Sequence, residues 1–135
     1  MITNPDFKPK GILLDIDGTL VDSRRKISPL MIKTLKQISD LGICCGVATS
    51  RHYAIIKNYI LPHFPKDSLH ITSGGAQIVR SSGKIVWQKK IDKTLSKTII
   101  KNVEELGGAV IFGSGFKLIC VVSLFITMSE TIPGK

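Results

Sequence analysis

GILLDIDGTLV, residues 11–21, is the stretch whose reading decides the fold. The branched apolar run Ile12-Leu13-Leu14 is followed by Asp15 and Asp17 with Ile16 between them, and Gly18-Thr19 then breaks the pattern. A short apolar run closed by a glycine turn predicts a strand buried on both faces, as in a parallel sheet. Residues i and i+2 of a strand share a side, so Asp15 and Asp17 leave the strand end together. Two carboxylates side by side repel, and a cation, a shared proton or a base must offset them. Mg²⁺ meets that need, because it takes one or two carboxylates together with substrate phosphate oxygens. An ordinary Asp-Gly turn after a strand is the plainer alternative.

Working outward, Ser28-Pro29 reads as a helix cap followed by proline in the first turn. Met31, Thr34, Leu35, Ile38 and Leu41 share one helical face, and Gly42 supplies the stop. Ile43 to Ala48 is a second continuous apolar strand. The strand–helix–strand order predicts a right-handed crossover and a parallel sheet, hence an α/β fold. Thr49-Ser50-Arg51 follows that strand and precedes a helical pattern with Ile55, Ile56, Tyr59 and Ile60 buried. A hydroxyl pair at a helix N-terminus suits an anion, although taken alone plain N-capping by Thr49 or Ser50 is the better account. Position favours the anion, since ligands of open parallel sheets bind beyond the carboxyl ends of the strands. Further on, Leu69-His70-Ile71 reads as a third strand, and His63 and His70 as structural or exposed residues without metal-ligand spacing. Gln77–Arg80 and Lys84–Gln88 flank Ser81-Ser82-Gly83 as a hairpin. Asp92 caps a helix with Leu95, Ile99, Val103 and Leu106 on its apolar face. Strands over 109–112 and 117–125 flank the turn Gly113-Ser114-Gly115.

DIDGTLVDS resembles the first motif of the haloacid dehalogenase-like hydrolases. The resemblance implies that Asp15 is a phosphoryl-accepting nucleophile and Asp17 a general acid/base, with both residues at a Mg²⁺ site. ICCGVATSR is similar to the second motif in the Cof-like, IIB-capped sugar phosphatase branch, which usually ends Ala-Thr-Gly-Arg; here Ser50 replaces the glycine. It implies phosphate binding by Thr49 and Ser50 and substrate binding by Arg51. ITSGGAQIV resembles that branch's Ile-x-x-Asn-Gly-Ala segment, with Gly74 in place of Asn, and implies a substrate contact at Gly75. The family's third motif, with a lysine, and its fourth, with acidic metal ligands, have no counterpart in these residues. The expectation is therefore a Rossmann-like, three-layer core that is incomplete: residues 1–82 as its N-terminal part and 83–135 as the start of an α+β cap. The implied activity is Mg²⁺-dependent hydrolysis of a small phosphomonoester, of the sugar-phosphate class, through an aspartyl-phosphate. The alternative is a non-catalytic piece that binds phosphate or needs a second chain for the missing motifs.

Composition excludes several other classes. A chain of 135 residues with 43% hydrophobic and 21% charged residues is that of an ordinary globular domain. The opening MITNPDFKPK has no apolar leader, and the longest apolar stretch, Leu118–Ile126, falls far short of the ~20 residues a spanning helix needs. A cytoplasmic protein away from membranes is expected. Cys44, Cys45 and Cys120 form no C-x-x-C and read as free thiols in a reducing compartment. The net charge is +9, with seven basic residues and one acid between Arg80 and Lys101. Lys93, Lys97 and Lys101 recur every four residues as one solvated helix face. Only Trp87 is available among them for base stacking, which argues against a nucleic-acid partner.

Overall fold

The structure is a computed structural model, and it describes residues 8–114 and 117–122. The chain divides into two compact units that meet at Lys89/Lys90. This is a boundary of packing, whereas the division expected at 82/83 is one of role.

The first unit opens on β1 (Gly11–Leu14), which leads through a loop to α1 (Pro29–Asp40) and β2 (Cys44–Val47). β1 and β2 pair in parallel with Gly11 opposite Cys44 and Leu14 opposite Val47. The cap expected of α1 is present, since Ser28 Oγ accepts from the Met31 N–H at 3.1 Å. The helix stops at Gly42, whose φ of +76° is left-handed backbone that glycine adopts without strain. A single parallel bridge, Ala48 to Ile71, joins β2 to β3 (Leu69–Thr72). β3 then runs antiparallel to β4 (Gln77–Arg80), and β4 to β5 (Ile85–Gln88), with a bulge at Ile78/Val79. The hairpin around Ser81–Gly83 is as expected, and the β3–β4 pairing adds a second antiparallel contact to it.

The core lies on one face of this sheet. Ile16, Leu20, Leu35, Val47, Ile56, Ile60, Phe64 and Val79 are all buried in one cluster. Burying a side chain of that size contributes about 1.5–3 kcal/mol. The other face differs from the expectation of a strand buried on both sides. Leu13 is 54% exposed and Leu69 45% exposed, because no described element covers them. Gly11, Leu13, Cys44, Gly46, Leu69 and Pro65 line an apolar groove of about 620 Å³ there.

A second expectation also changes. The helix after Arg51 is a single turn, α2 (Tyr53–Ile56), capped by His52 Nδ1, which accepts from the Ala54 N–H at 3.2 Å. Neither Thr49 nor Ser50 caps it, so the hydroxyl pair does not stand at a helix N-terminus. Turns at 57–60 and a 3-10 turn at Leu61–His63 continue the apolar spacing without a continuous helix.

In the second unit, α3 (Lys93–Glu105) is capped by Asp92, whose carboxylate accepts from the Thr94 and Leu95 N–H groups at 2.8 and 3.2 Å. It packs against β6 (Ala109–Ser114), which pairs antiparallel with β7 (Lys117–Val122). Lys93, Lys97 and Lys101 are exposed, as a solvated face requires. The strand expected to continue to 125 lies partly outside the described residues. Among the described residues, no helix is long and apolar enough to cross a membrane.

Candidate active site

The parallel pairing of β1 and β2 brings two loops to one end of the sheet. Ala48 donates its N–H to the Leu14 carbonyl at 2.9 Å, so the chain leaves β1 at Asp15 beside the place where it leaves β2 toward Thr49. After Asp15 the backbone makes one tight turn, with the Leu20 and Val21 N–H groups both reaching the Ile16 carbonyl at 3.1 Å. Ile16 and Leu20 are buried beneath this turn, while Asp15, Asp17, Gly18 and Thr19 stay exposed. The apolar residues anchor the loop and the polar ones face solvent. Asp15 Oδ1 accepts from the Ile16 N–H at 2.8 Å, which orients the carboxylate at the strand end.

The two loops are tied by one ion pair. Arg51 Nε and Nη2 donate to the two carboxylate oxygens of Asp17 at 2.7 and 2.8 Å, a bidentate fork. The Arg51 side chain is 21% exposed and that of Asp17 53%. The Arg51 hydrogen bonds hold the Asp17 carboxyl below the usual carboxylate range, opposed by partial desolvation and helped by the charge of Arg25. Asp17 raises the Arg51 pKa in turn, and the neighbouring Tyr59 phenol adds to this. Bidentate geometry makes the pair specific, and an anion that competes for Arg51 must match that fork.

Thr49 is buried at 7% exposure. Its hydroxyl accepts from the Arg51 N–H at 3.1 Å, a bond that leaves the hydroxyl proton to be donated elsewhere. Ser50 is exposed. The Thr49–Arg51 loop is held from the other side by the turn after β3: the Gly74 N–H reaches the Thr49 carbonyl at 3.2 Å and the Ser73 N–H the Arg51 carbonyl at 2.9 Å. Ser73, Gly74 and Gly75 all take positive φ, at +56°, +63° and +92°. Ser73 is the unusual one, as a side-chain-bearing residue in left-handed backbone is strained and such strain collects at functional sites. Sequence reasoning placed Gly75 here but missed Ser73 and Tyr59. The glycine pair at 74–75 signals a turn, yet nothing in the sequence says that it grips Arg51.

The structure therefore brings together Asp17, Thr49, Arg51 and the 73–75 turn, with Asp15 at the adjoining strand end. Among the described residues, no three His, Cys, Asp or Glu side chains cluster as metal ligands. The hard donors present are the Asp15 carboxylate and the backbone oxygens of the turn, since both Asp17 oxygens accept from Arg51. An oxygen set with no nitrogen or sulfur ligand fits a hard divalent ion that fills its remaining positions with phosphate and water oxygens.

A sequence profile of the haloacid dehalogenase-like hydrolases matches residues 12–123. The chain belongs to this family. Among curated relatives, an HMP-PP phosphatase of Yersinia pestis is 29% identical over 87 residues, which are 64% of this chain and 32% of that protein. Among solved structures, BT1666, a phosphatase of the superfamily from Bacteroides thetaiotaomicron, superposes with a TM-score of 0.71 at 25% identity, over 89% of this chain and 44% of its own. The subclass IIB sugar phosphatase BT4131 superposes with a TM-score of 0.66 at 23% identity, over 82% and 43%. The chain thus spans about a third of the length of the curated relatives it matches and under half of these two solved structures.

Proposed function

We propose that this hydrolase carries the phosphoryl-transfer loops of a phosphomonoester phosphatase, with residues 1–82 as core and 83–135 as the beginning of a cap. The substrate class is a small phosphorylated metabolite, of the sugar-phosphate kind, in the cytoplasm. One observation carries this reading: the bidentate Arg51–Asp17 pair draws the loops after β1 and β2 together at the carboxyl ends of two parallel strands. The names of the relatives and the motif resemblance support it.

In this reading Asp15 attacks phosphorus, a bond forms from its carboxylate oxygen, and the bond to the leaving oxygen breaks. Asp17 gives a proton to that oxygen. Water then attacks the aspartyl-phosphate, Asp17 takes the water's proton, and the Asp15 carboxylate and inorganic phosphate are released. At rest Arg51 keeps Asp17 ionised, so Asp17 acts as acid only once Arg51 has turned to the incoming phosphate. Thr49 donates its hydroxyl to the phosphate, with Ser50 at the loop rim, and Arg51 and Gly75 meet the substrate. The Asp15 carboxylate and the backbone beside Asp17 would hold Mg²⁺, leaving the Asp17 carboxylate free for its proton; the ion when bound would neutralise charge on the phosphate oxygens.

The test is Mg²⁺-dependent turnover of an aryl phosphate by the wild-type chain and by Asp15→Asn. Turnover that vanishes with Asp15→Asn at an unchanged melting temperature is expected, and full activity of that variant refutes the assignment. The uncovered face at Leu13 and Leu69 favours a second reading, in which the chain binds phosphate but turns it over only beside a partner segment. Mg²⁺-dependent orthovanadate binding without turnover, restored to turnover by such a segment, distinguishes it.

A further inference from the structure

β2 and β3 are not joined by a regular ladder, and the irregularity has a chemical cause. Alternate N–H groups of β2 turn to opposite neighbours. Cys44 and Ala48 donate toward β1, to Lys10 and Leu14, whereas Thr49 donates to the Ile71 carbonyl of β3 at 3.0 Å. Val47, two residues earlier, also faces β3, and a regular parallel ladder would give it the Leu69 carbonyl. It finds a side chain instead: the Val47 N–H donates to His70 Nδ1 at 3.2 Å. The Leu69 carbonyl lies over Gly46, where any Cβ would collide with its oxygen.

The imidazole is fully buried. Because Nδ1 accepts, the ring proton sits on Nε2, which donates to Ser81 Oγ at 2.7 Å. Phe64 packs edge-on against the ring, with centroids 5.2 Å apart and planes at 85°. Burial pushes its pKa down to about 4, so the neutral acceptor persists at neutral pH. One residue past this contact the ladder resumes at Ala48–Ile71, and the next bonds are those by which the 73–74 turn grips Thr49 and Arg51.

We propose that His70 is a positioning residue for the Thr49–Arg51 loop, its Nδ1 serving as a surrogate strand acceptor that sets how β2 lies against β3. Without that acceptor the Val47 N–H is left to compete for the Leu69 carbonyl, whose present place over Gly46 is part of the offset that carries Ile71, Ser73 and Gly74 to their partners. His70 touches no reacting atom; it acts through the backbone of β2. The inference builds on the phosphatase reading for its consequence, and on geometry alone for the contact.

The experiment compares three variants in the full chain. His70→Asn offers an amide oxygen near the Nδ1 position, His70→Gln reaches the Nε2 position, and His70→Leu offers neither. Amide hydrogen exchange at Val47, Thr49 and Gly74 is read by NMR, together with affinity for orthovanadate in Mg²⁺. His70→Leu is expected to speed exchange at all three amides at least ~100-fold and weaken vanadate at least ~10-fold, while His70→Asn returns both to within ~3-fold of wild type. Unchanged exchange at Thr49 and Gly74 in His70→Leu overturns the proposal, as does rescue by His70→Gln but not His70→Asn. Should His70→Leu fail to fold, a scalar coupling between the Val47 N–H and His70 Nδ1 in the wild type decides the contact, and its absence overturns it. A wild-type chain that binds no vanadate refutes the phosphatase reading, while exchange at Thr49 and Gly74 still tests His70.

Discussion

Gly46→Ala is the substitution that bears hardest on the scaffold of the site. A Cβ there would overlap the Leu69 carbonyl oxygen, and would meet the Leu69 carbonyl carbon at 3.1 Å and Leu13 Cδ2 at 3.2 Å. Leu13 can rotate, since it is half exposed, but a strand carbonyl cannot. β2 and β3 must therefore part by roughly 1 Å, enough to stretch the Thr49–Ile71 and Val47–His70 hydrogen bonds past useful length. Overpacking of this kind costs about 1–3 kcal/mol, and each weakened bond adds about 1 kcal/mol. A total of about 3–5 kcal/mol is a large share of a domain's stability, and at about 4–8 °C per kcal/mol it lowers the melting temperature by roughly 12–40 °C. Gly42→Ala is the control. No atom lies within 4 Å of its Cβ position, and only its φ of +76° would strain the alanine, at a cost of about 1–2 kcal/mol. Thermal unfolding followed by circular dichroism compares the two. A Gly46→Ala chain that melts within about 3 °C of wild type would show that β2 and β3 do not approach as described.

Three further outcomes are expected. His70 is depressed from 6.5 to about 4, so the unfolded chain takes up a proton that the folded chain refuses. Stability from this source is complete above the unfolded value and falls as pH drops from about 6.5 toward 4, by up to about 3 kcal/mol; urea midpoints at pH 7.5 and 4.5 measure it, and a fall of equal size in His70→Asn contradicts the assignment. Arg51→Ala removes the hydrogen bonds that hold the Asp17 carboxyl down, so a ¹³C carboxyl titration should show the Asp17 midpoint rise, and an unmoved midpoint means that the pair does not persist in solution. Among the described residues β1 pairs only with β2, which leaves its other edge open, and Leu13 and Leu69 are exposed on the uncovered face; the 135-residue chain should associate as its concentration rises, and light scattering from a strict monomer would speak against an uncovered face.

The sequence made the site legible where covalent spacing alone decides geometry. An apolar run closed by Asp15-Ile16-Asp17-Gly18 had to end β1 in a polar turn, and an apolar run ending at Ala48 had to deliver Thr49 to the same end of a parallel sheet; the strand alternation that would pair Asp15 with Asp17 stops at Leu14. It was silent where a contact depends on two distant segments. Nothing near Arg51 says that its guanidinium closes on Asp17, and nothing near His70 says that its ring replaces a strand carbonyl, since the need arises from Leu69 lying over Gly46. The helix expected after Arg51 departs for a related reason: Ile56, Tyr59 and Ile60 keep helical spacing through a single turn followed by looser turns and Pro62 and pack inward, whereas Ile55, expected to be buried with them, is exposed. Leu13 shows the limit of apolar patterning. A run of Ile and Leu says that a strand wants to be covered on both faces, and does not say by what.

The claim at the centre is that Asp15 accepts the phosphoryl group. The direct measurement is to incubate the chain with acetyl phosphate and Mg²⁺, reduce with borohydride, and map the product by peptide mass spectrometry. An aspartyl-phosphate at Asp15 is reduced to homoserine, so the expected result is that mass change at position 15, lost in Asp15→Asn and diminished in Thr49→Ala. Reduction at Asp17 or another carboxylate, or none in a chain that remains folded, would contradict it.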